Sequence, residues 1–108
     1  MQSTIQIDVT LDDKKLPEKI SWKASSSTAE APRVAKAMML AFWDGADKSA
    51  LRMDLWTKDM MVDDMKRYFF ENFMTMADTY LRATNDADSA KEIKKFAEAF
   101  GKRTGISK

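Results

Sequence analysis

Four aspartates near the middle of the chain are the residues that could do acid–base chemistry. Two carboxylates held close together in a dry cleft can act as general acid and general base, as they do in glycoside hydrolysis. Each aspartate also has a structural explanation: Asp44 and Asp47 lie in a predicted turn, where aspartate is favoured. Asp59 is a predicted helix cap, and we expect Asp54 to face Arg52 and solvent. We therefore expect no catalytic residues and no enzyme activity.

The composition removes most other catalytic chemistry. The chain has no histidine and no cysteine, so it lacks the commonest general base, the commonest metal ligand and any thiolate site. Glycine-rich phosphate loops, nucleophile elbows and metal-ligand spacings do not occur in the sequence either. We expect no cofactor and no metal.

Length and charge set the class of protein. A chain of 108 residues that is 44% hydrophobic and 32% charged can bury one core, so we predict a single domain over residues 1–108. The net charge of +1 provides no global field toward nucleic acid or anionic membrane. The sequence lacks the pattern of a secretion signal and has no apolar run that could cross a bilayer, so we expect a cytoplasmic location.

Alternation of polar and apolar residues predicts the strands. It runs over residues 4–11, 19–24 and 50–57, and the apolar stretch 35–43 is typical of a central strand. The segment 25–33 is a loop by composition, since it is rich in Ser and Ala and contains a proline.

The last two strands form a predicted hairpin whose register can be chosen. Placing Asp44 opposite Ser49 gathers the bulky residues on one face, and a slip of one residue would exchange the faces. The face predicted to look toward the core carries Met38, Leu40, Phe42, Leu51, Met53 and Leu55. The outward face carries Ala37, Met39, Ala41, Trp43, Arg52, Asp54 and Trp56.

After Thr57 the apolar period changes to that of a helix. A long helix carries a Met and Phe stripe from Val62 to Tyr80, and a capping box at Ser89 and Glu92 is predicted to open a second helix. The predicted fold is α+β, with a four-stranded antiparallel sheet followed by two C-terminal helices packed on one sheet face.

Several phrases resemble a known family. They are PEKISW at 17–22, AMMLAFWD at 37–44, RMDLWTKDMMVDDMK at 52–66 and ADTYLRATND at 77–86. Together they resemble the gliding motility protein GldC. The resemblance implies an accessory role in surface gliding, in a family associated with the motility lipoprotein GldB and without established catalytic activity.

The outward hairpin face is the candidate binding site. Its proposed binding residues are Met39, Trp43, Arg52 and Trp56. An apolar surface rimmed by charge usually marks a contact site, and Trp and Arg carry much of the energy at protein interfaces. The expected partner is a protein of the gliding machinery or a second copy of the chain in a homodimer. The alternative is that loop 25–33 or the C-terminal tail covers this face.

Two other functions stay open on the sequence. A carrier of a small apolar ligand would use the Met and Phe arc of the long helix to line a cavity against the sheet. A single-stranded nucleic-acid platform would combine the aromatic residues with Lys19, Lys23 and Arg52 on the same side of one sheet. The near-neutral charge makes nucleic acid the weaker alternative.

Overall fold

The computed structural model describes residues 1–25 and 31–107. Within them the elements are β1 (Ile5–Leu11), β2 (Pro17–Ala24), β3 (Arg33–Ala35), β4 (Ala37–Asp44), β5 (Ser49–Trp56), α1 (Val62–Thr84) and α2 (Ala87–Thr104). The protein is therefore α+β, as predicted. The chain divides into two compact units, Met1–Met60 and Met61–Lys108. The predicted single domain and the predicted packing of the helices on a sheet face stay predictions.

The strands form two antiparallel sheets, so the predicted single four-stranded sheet is wrong. β1, β2 and β3 make a three-stranded sheet, and β4 and β5 make a two-stranded sheet. The predicted strand over residues 35–43 is divided at Lys36, where the chain bends. Continuing the β2–β3 register past the pair Ile20 and Ala35 would place Lys19 opposite Lys36, which like charges disfavour. Farther along, Pro17 has no N–H to donate to a longer ladder.

The segment after β5 joins the two sheets. The Thr57 N–H donates to the Lys36 carbonyl at 2.8 Å, and the Lys58 N–H donates to the Pro17 carbonyl at 3.0 Å. Beside them Thr57 and Ile20 are each only 1% exposed. The bend at Lys36 therefore lies next to the buried centre of this unit.

Asp59 belongs to this junction, so its predicted role as a helix cap is wrong. Its carboxylate accepts hydrogen bonds from the Lys36 ammonium at 2.6 Å and from the Thr57 hydroxyl at 2.7 Å. Residue Met61 occupies the N-cap position of α1 and makes no side-chain capping bond. Asp63 and Asp64 lie in the first turn of α1, where the positive end of the helix dipole stabilises their negative charges.

The two helices pack against each other as an antiparallel pair. Asn85, the C-cap residue of α1, adopts the left-handed conformation with φ 58°. The carboxylate of Asp86 caps α2 by accepting from the Ser89 N–H at 3.1 Å, so the cap lies three residues before the predicted one. Small buried residues, Ala77, Ala90, Ala97 and Gly101, let the helices approach closely. Among the described residues, no helix is long and apolar enough to cross a membrane.

Candidate protein-binding face on the β4–β5 hairpin

The predicted hairpin register is confirmed in full. Asp44 lies opposite Ser49, and the cross-strand pairs continue to Ala37 opposite Trp56. In an antiparallel pair, residues directly opposite each other point to the same face. One face, called the Trp face below, therefore carries Ala37, Met39, Ala41, Trp43, Ala50, Arg52, Asp54 and Trp56. The structure thus places all four proposed binding residues together.

The Trp face consists of four cross-strand rows. Trp43 pairs with Ala50, Ala41 with Arg52, Met39 with Asp54, and Ala37 with Trp56. The two indoles stand in the outer rows, about 20 Å apart at the usual rise of a strand. Each indole shares its row with an alanine, and the charged residues occupy the inner rows.

Most side chains of the Trp face are open to solvent, although Ala37 and Met39 are half-buried. Trp43 is 69% exposed and Trp56 is 55% exposed, which is unusual for two indoles on one face of a soluble protein. Between them the Arg52 guanidinium donates to the Asp54 carboxylate at 2.9 and 3.2 Å. The centre of the face is therefore polar but carries no net charge, and its ends are aromatic.

The opposite face of the hairpin is also apolar, and sequence reasoning missed its exposure. This Leu face carries Met38, Leu40, Phe42, Leu51, Met53 and Leu55. It was predicted to look toward the core, yet Phe42 is 61%, Leu51 56% and Met53 54% exposed. The available signal was the stretch from Ala37 to Trp43, in which neither alternating set contains a polar residue.

An open pocket lies at the Trp56 end of the hairpin. Its volume is about 310 Å³, and its lining is Leu16, Pro17, Asp54, Leu55, Trp56 and Lys58. Lys58 is fixed there because its ammonium lies 2.9 Å from the Asp12 carboxylate and 3.4 Å from that of Glu18. The mostly apolar lining could accept an apolar side chain next to the indole.

Asp44 and Asp59, two further aspartates with possible acid–base roles, have structural partners. Asp44 lies at the turn, where its carboxylate accepts from the Ala46 N–H at 3.3 Å and its carbonyl accepts from Lys48 at 2.8 Å. Hydrogen bonds from Lys36 and then Thr57 hold the pKa of Asp59 below its ordinary value, so it is a fixed anion at neutral pH. Within residues 1–25 and 31–107, no group of three or more Asp, Glu, His or Cys side chains is placed to hold a metal ion.

A comparison with known protein families identifies the family of this chain. The gliding motility-associated GldC-like family matches residues 17–106. The chain belongs to this GldC-like family. The matched segment includes both strands of the hairpin and all four sequence phrases on which the resemblance to GldC rests. The prediction of a GldC-like family is therefore confirmed. No curated protein and no solved structure matches the chain.

Membership in the GldC-like family associates the chain with gliding motility. The match begins at Pro17 and continues to Ile106, so it contains the whole Trp face and the pocket residues other than Leu16. The candidate site therefore lies within the segment that matches the family.

The structure removes the argument for a nucleic-acid platform. Lys19 and Lys23 lie on β2 of the three-stranded sheet, whereas Trp43, Arg52 and Trp56 lie on the other sheet. No single sheet within the described residues carries the predicted combination of cations and aromatic rings. The alternative to a binding face was coverage by loop 25–33 or by the C-terminal tail, and that loop includes residues 26–30, which lie outside the described residues.

Proposed function

We propose that this protein is a non-catalytic accessory of bacterial gliding motility that binds a protein through the Trp face. Family membership supports the process, and the two exposed indoles on one face support the mode of action. The residues that carry the binding are Met39, Trp43, Arg52 and Trp56. The partner is a component of the gliding machinery or a second copy of this chain, and the proposed location is the cytoplasm.

Exposed tryptophan is the observation on which the proposal depends. Burying an indole removes a large apolar surface from water, and such residues often dominate the free energy of protein binding. The paired charges of Arg52 and Asp54 would orient a partner without attracting anions or cations in general. The pocket beside Trp56 offers a second point of apolar contact.

A site-specific photo-crosslinker tests the proposal in cells. A benzophenone amino acid replaces Trp56 in one strain of a gliding bacterium and Val62, which is 69% exposed at the start of α1, in a control strain. We expect protein adducts from position 56 that do not form from position 62. Equal adduct patterns from the two positions would contradict binding at the Trp face.

Gliding itself provides the functional readout. A strain lacking the gene is complemented with the Trp43→Ala/Trp56→Ala variant or with the control variant Met61→Ala/Val62→Ala, which removes exposed apolar side chains elsewhere. We expect colony spreading at the level of the empty strain for the first variant and at the wild-type level for the second. Circular dichroism and protein abundance show that both variants are folded and expressed.

A carrier of a small apolar ligand is the second candidate function. The apolar lining of the pocket beside Trp56 favours it. This pocket differs from the predicted helix-lined cavity, since Leu16, Pro17 and Leu55 come from the strand unit. Native mass spectrometry of the purified protein separates the two functions, because a carrier would show a bound apolar molecule that the Trp56→Ala variant loses.

A further inference from the structure

The Trp face has large residues where a rotated copy of itself has small ones. Along the hairpin the four rows are Trp43 with Ala50, Ala41 with Arg52, Met39 with Asp54, and Ala37 with Trp56. Reversing the order of the rows exchanges the first with the last. It also exchanges the row of Arg52 with the row of Asp54.

Two copies can stack with their Trp faces together, related by a two-fold axis that lies between them and runs perpendicular to the strands. This rotation reverses the order of the four rows in the second copy. Trp43 then lies over Ala37 of the second copy, and Trp56 lies over Ala50 of the second copy. An indole placed on an alanine fills space without a clash, which two indoles in register would not do. The same rotation places Arg52 opposite the second copy's Asp54, so the charges of the inner rows are complementary.

We propose that the occupant of the Trp face is the Trp face of a second copy of this chain, joined by this two-fold rotation. The inference rests on the proposed function, because it names the partner of the same face. An isologous contact of this kind closes on itself and yields a dimer rather than a fibre. Components of the gliding machinery would then meet the dimer through its other surfaces.

The charges favour this rotation over the other face-to-face arrangement. An axis along the strands would also place each indole on an alanine, but it would set Arg52 on Ala41 and Asp54 on Met39 of the second copy. Covering those charges with apolar side chains removes their hydration and leaves only the bond between Arg52 and Asp54 within the chain to compensate for it. The axis across the strands instead gives each charge an opposite charge from the second copy.

The area suits a reversible dimer. A covered aromatic side chain buries about 150–250 Å². With Trp43 69% and Trp56 55% exposed in each copy, the four indoles contribute about 400–600 Å². The other side chains of the Trp face in both copies bring the total to roughly 1,000 Å², near the lower limit for a specific interface. We expect a dimer that dissociates at micromolar concentration.

Charge reversal tests the arrangement by sedimentation equilibrium. The Arg52→Asp variant has two carboxylates in its inner rows, and the Asp54→Arg variant has two guanidinium groups. We expect each variant alone to be monomeric and an equimolar mixture of the two to form dimers again. The bond between Arg52 and Asp54 within one chain is lost in both variants, so only pairing between copies explains recovery in the mixture.

Removal of the indoles provides the second test. We expect Trp43→Ala/Trp56→Ala to raise the dimer dissociation constant at least about 30-fold, the usual effect of removing central interface residues. The control Met61→Ala/Val62→Ala should leave the constant unchanged. A wild-type protein that stays monomeric up to millimolar concentration would overturn the inference, as would a dimer unaffected by the loss of both indoles.

The outcomes separate this inference from the proposed function. A monomeric wild type that still forms adducts with other proteins from position 56 would overturn the self-association and leave the binding face intact. A dimer sensitive to both tests confirms the inference. Failure of the charge-reversed variants to associate when mixed would exclude the rotation across the strands.

Discussion

Gly101 of α2 lies directly against the aromatic ring of Phe70 in α1. A Cβ atom on this glycine would stand 2.6 Å from the ring and 2.7 Å from the Ser107 hydroxyl, closer than such atoms approach in folded proteins. The glycine is buried within the helix pair. Glycine normally weakens the interior of a helix by about 1 kcal/mol relative to alanine, so its presence here follows from the close approach of the two helices.

We expect Gly101→Ala to destabilise the protein although alanine favours helix. The added methyl group must displace the Phe70 ring, and overpacking of this kind costs about 1–3 kcal/mol of unfolding free energy. Gly45→Ala is the matched control, because nothing lies within 4 Å of a Cβ at that turn position. Urea unfolding measures both variants, and a Gly101→Ala protein as stable as the control would contradict the packing.

We expect Thr57→Val to weaken the junction between the two sheets. Valine keeps the shape of the 1% exposed side chain but loses the hydroxyl that donates to Asp59 at 2.7 Å. The loss should lower the melting temperature by about 4–8 °C. Thr10→Val, at an exposed position of β1, is the control and should leave the melting temperature unchanged; an equal loss in both would point to a general effect of valine.

The cap of α2 predicts a pH dependence. Hydrogen bonds from the Ser89 side chain and N–H, and from the Tyr80 hydroxyl, hold the pKa of Asp86 below its ordinary value of 3.8. A carboxylate whose pKa is lower in the folded state stabilises the fold above the unfolded value, and this contribution is lost as pH falls through the folded pKa. Asp86 therefore stabilises the helix pair at neutral pH and ceases to do so in acid.

Asp86→Ala should lower the melting temperature at pH 7 by a few degrees, an effect typical of a lost cap. The difference from wild type should shrink as pH falls below 3.8. Circular dichroism at a series of pH values measures the difference, with Asp88→Ala in the first turn of α2 as the control. A difference that stays constant with pH would show that the charge of Asp86 has no part in capping.

The ion pair of Lys58 and Asp12 predicts a change in the pKa of the Asp12 carboxyl group when Lys58 is removed. The Leu16 N–H is the main cause that holds the pKa of Asp12 below 3.8, and the hydrogen bond from Lys58 adds to it. In the Lys58→Ala variant the pKa of Asp12 should therefore rise yet remain below that value. Titration followed by carboxyl ¹³C NMR measures it, and an unchanged pKa would mean that the ammonium is not held at the turn in solution.

The hairpin could be predicted from the sequence because its information is local. Alternation on β5 fixes which of its residues share a face, and the turn between Asp44 and Ser49 fixes the register of β4 against it. The four residues of the proposed site therefore fall together as predicted. The helices could be predicted for the same reason, since the apolar period from Val62 onward is the period of one element.

The division into two sheets could not be predicted from alternation, because the pattern passes through Lys36 without a break. The bend depends on partners distant in sequence: the Thr57 N–H, which bonds the Lys36 carbonyl, and Asp59, which pairs with its ammonium. The sequence predicts a cap at Asp59 because aspartate before an apolar helical period is a common cap signal. Its distant partners at the junction determine its place instead.

The four-residue turn between β4 and β5 determines which side chains lie on each face of the hairpin. Both faces of the hairpin are apolar, so hydrophobic burial alone gives little preference between neighbouring alignments of the two strands. An insertion of a single residue between Asp44 and Ser49 would move Trp56 to the side of Phe42 and leave Trp43 on the other. The surface offered to a partner is thus encoded by a polar turn that need never touch that partner.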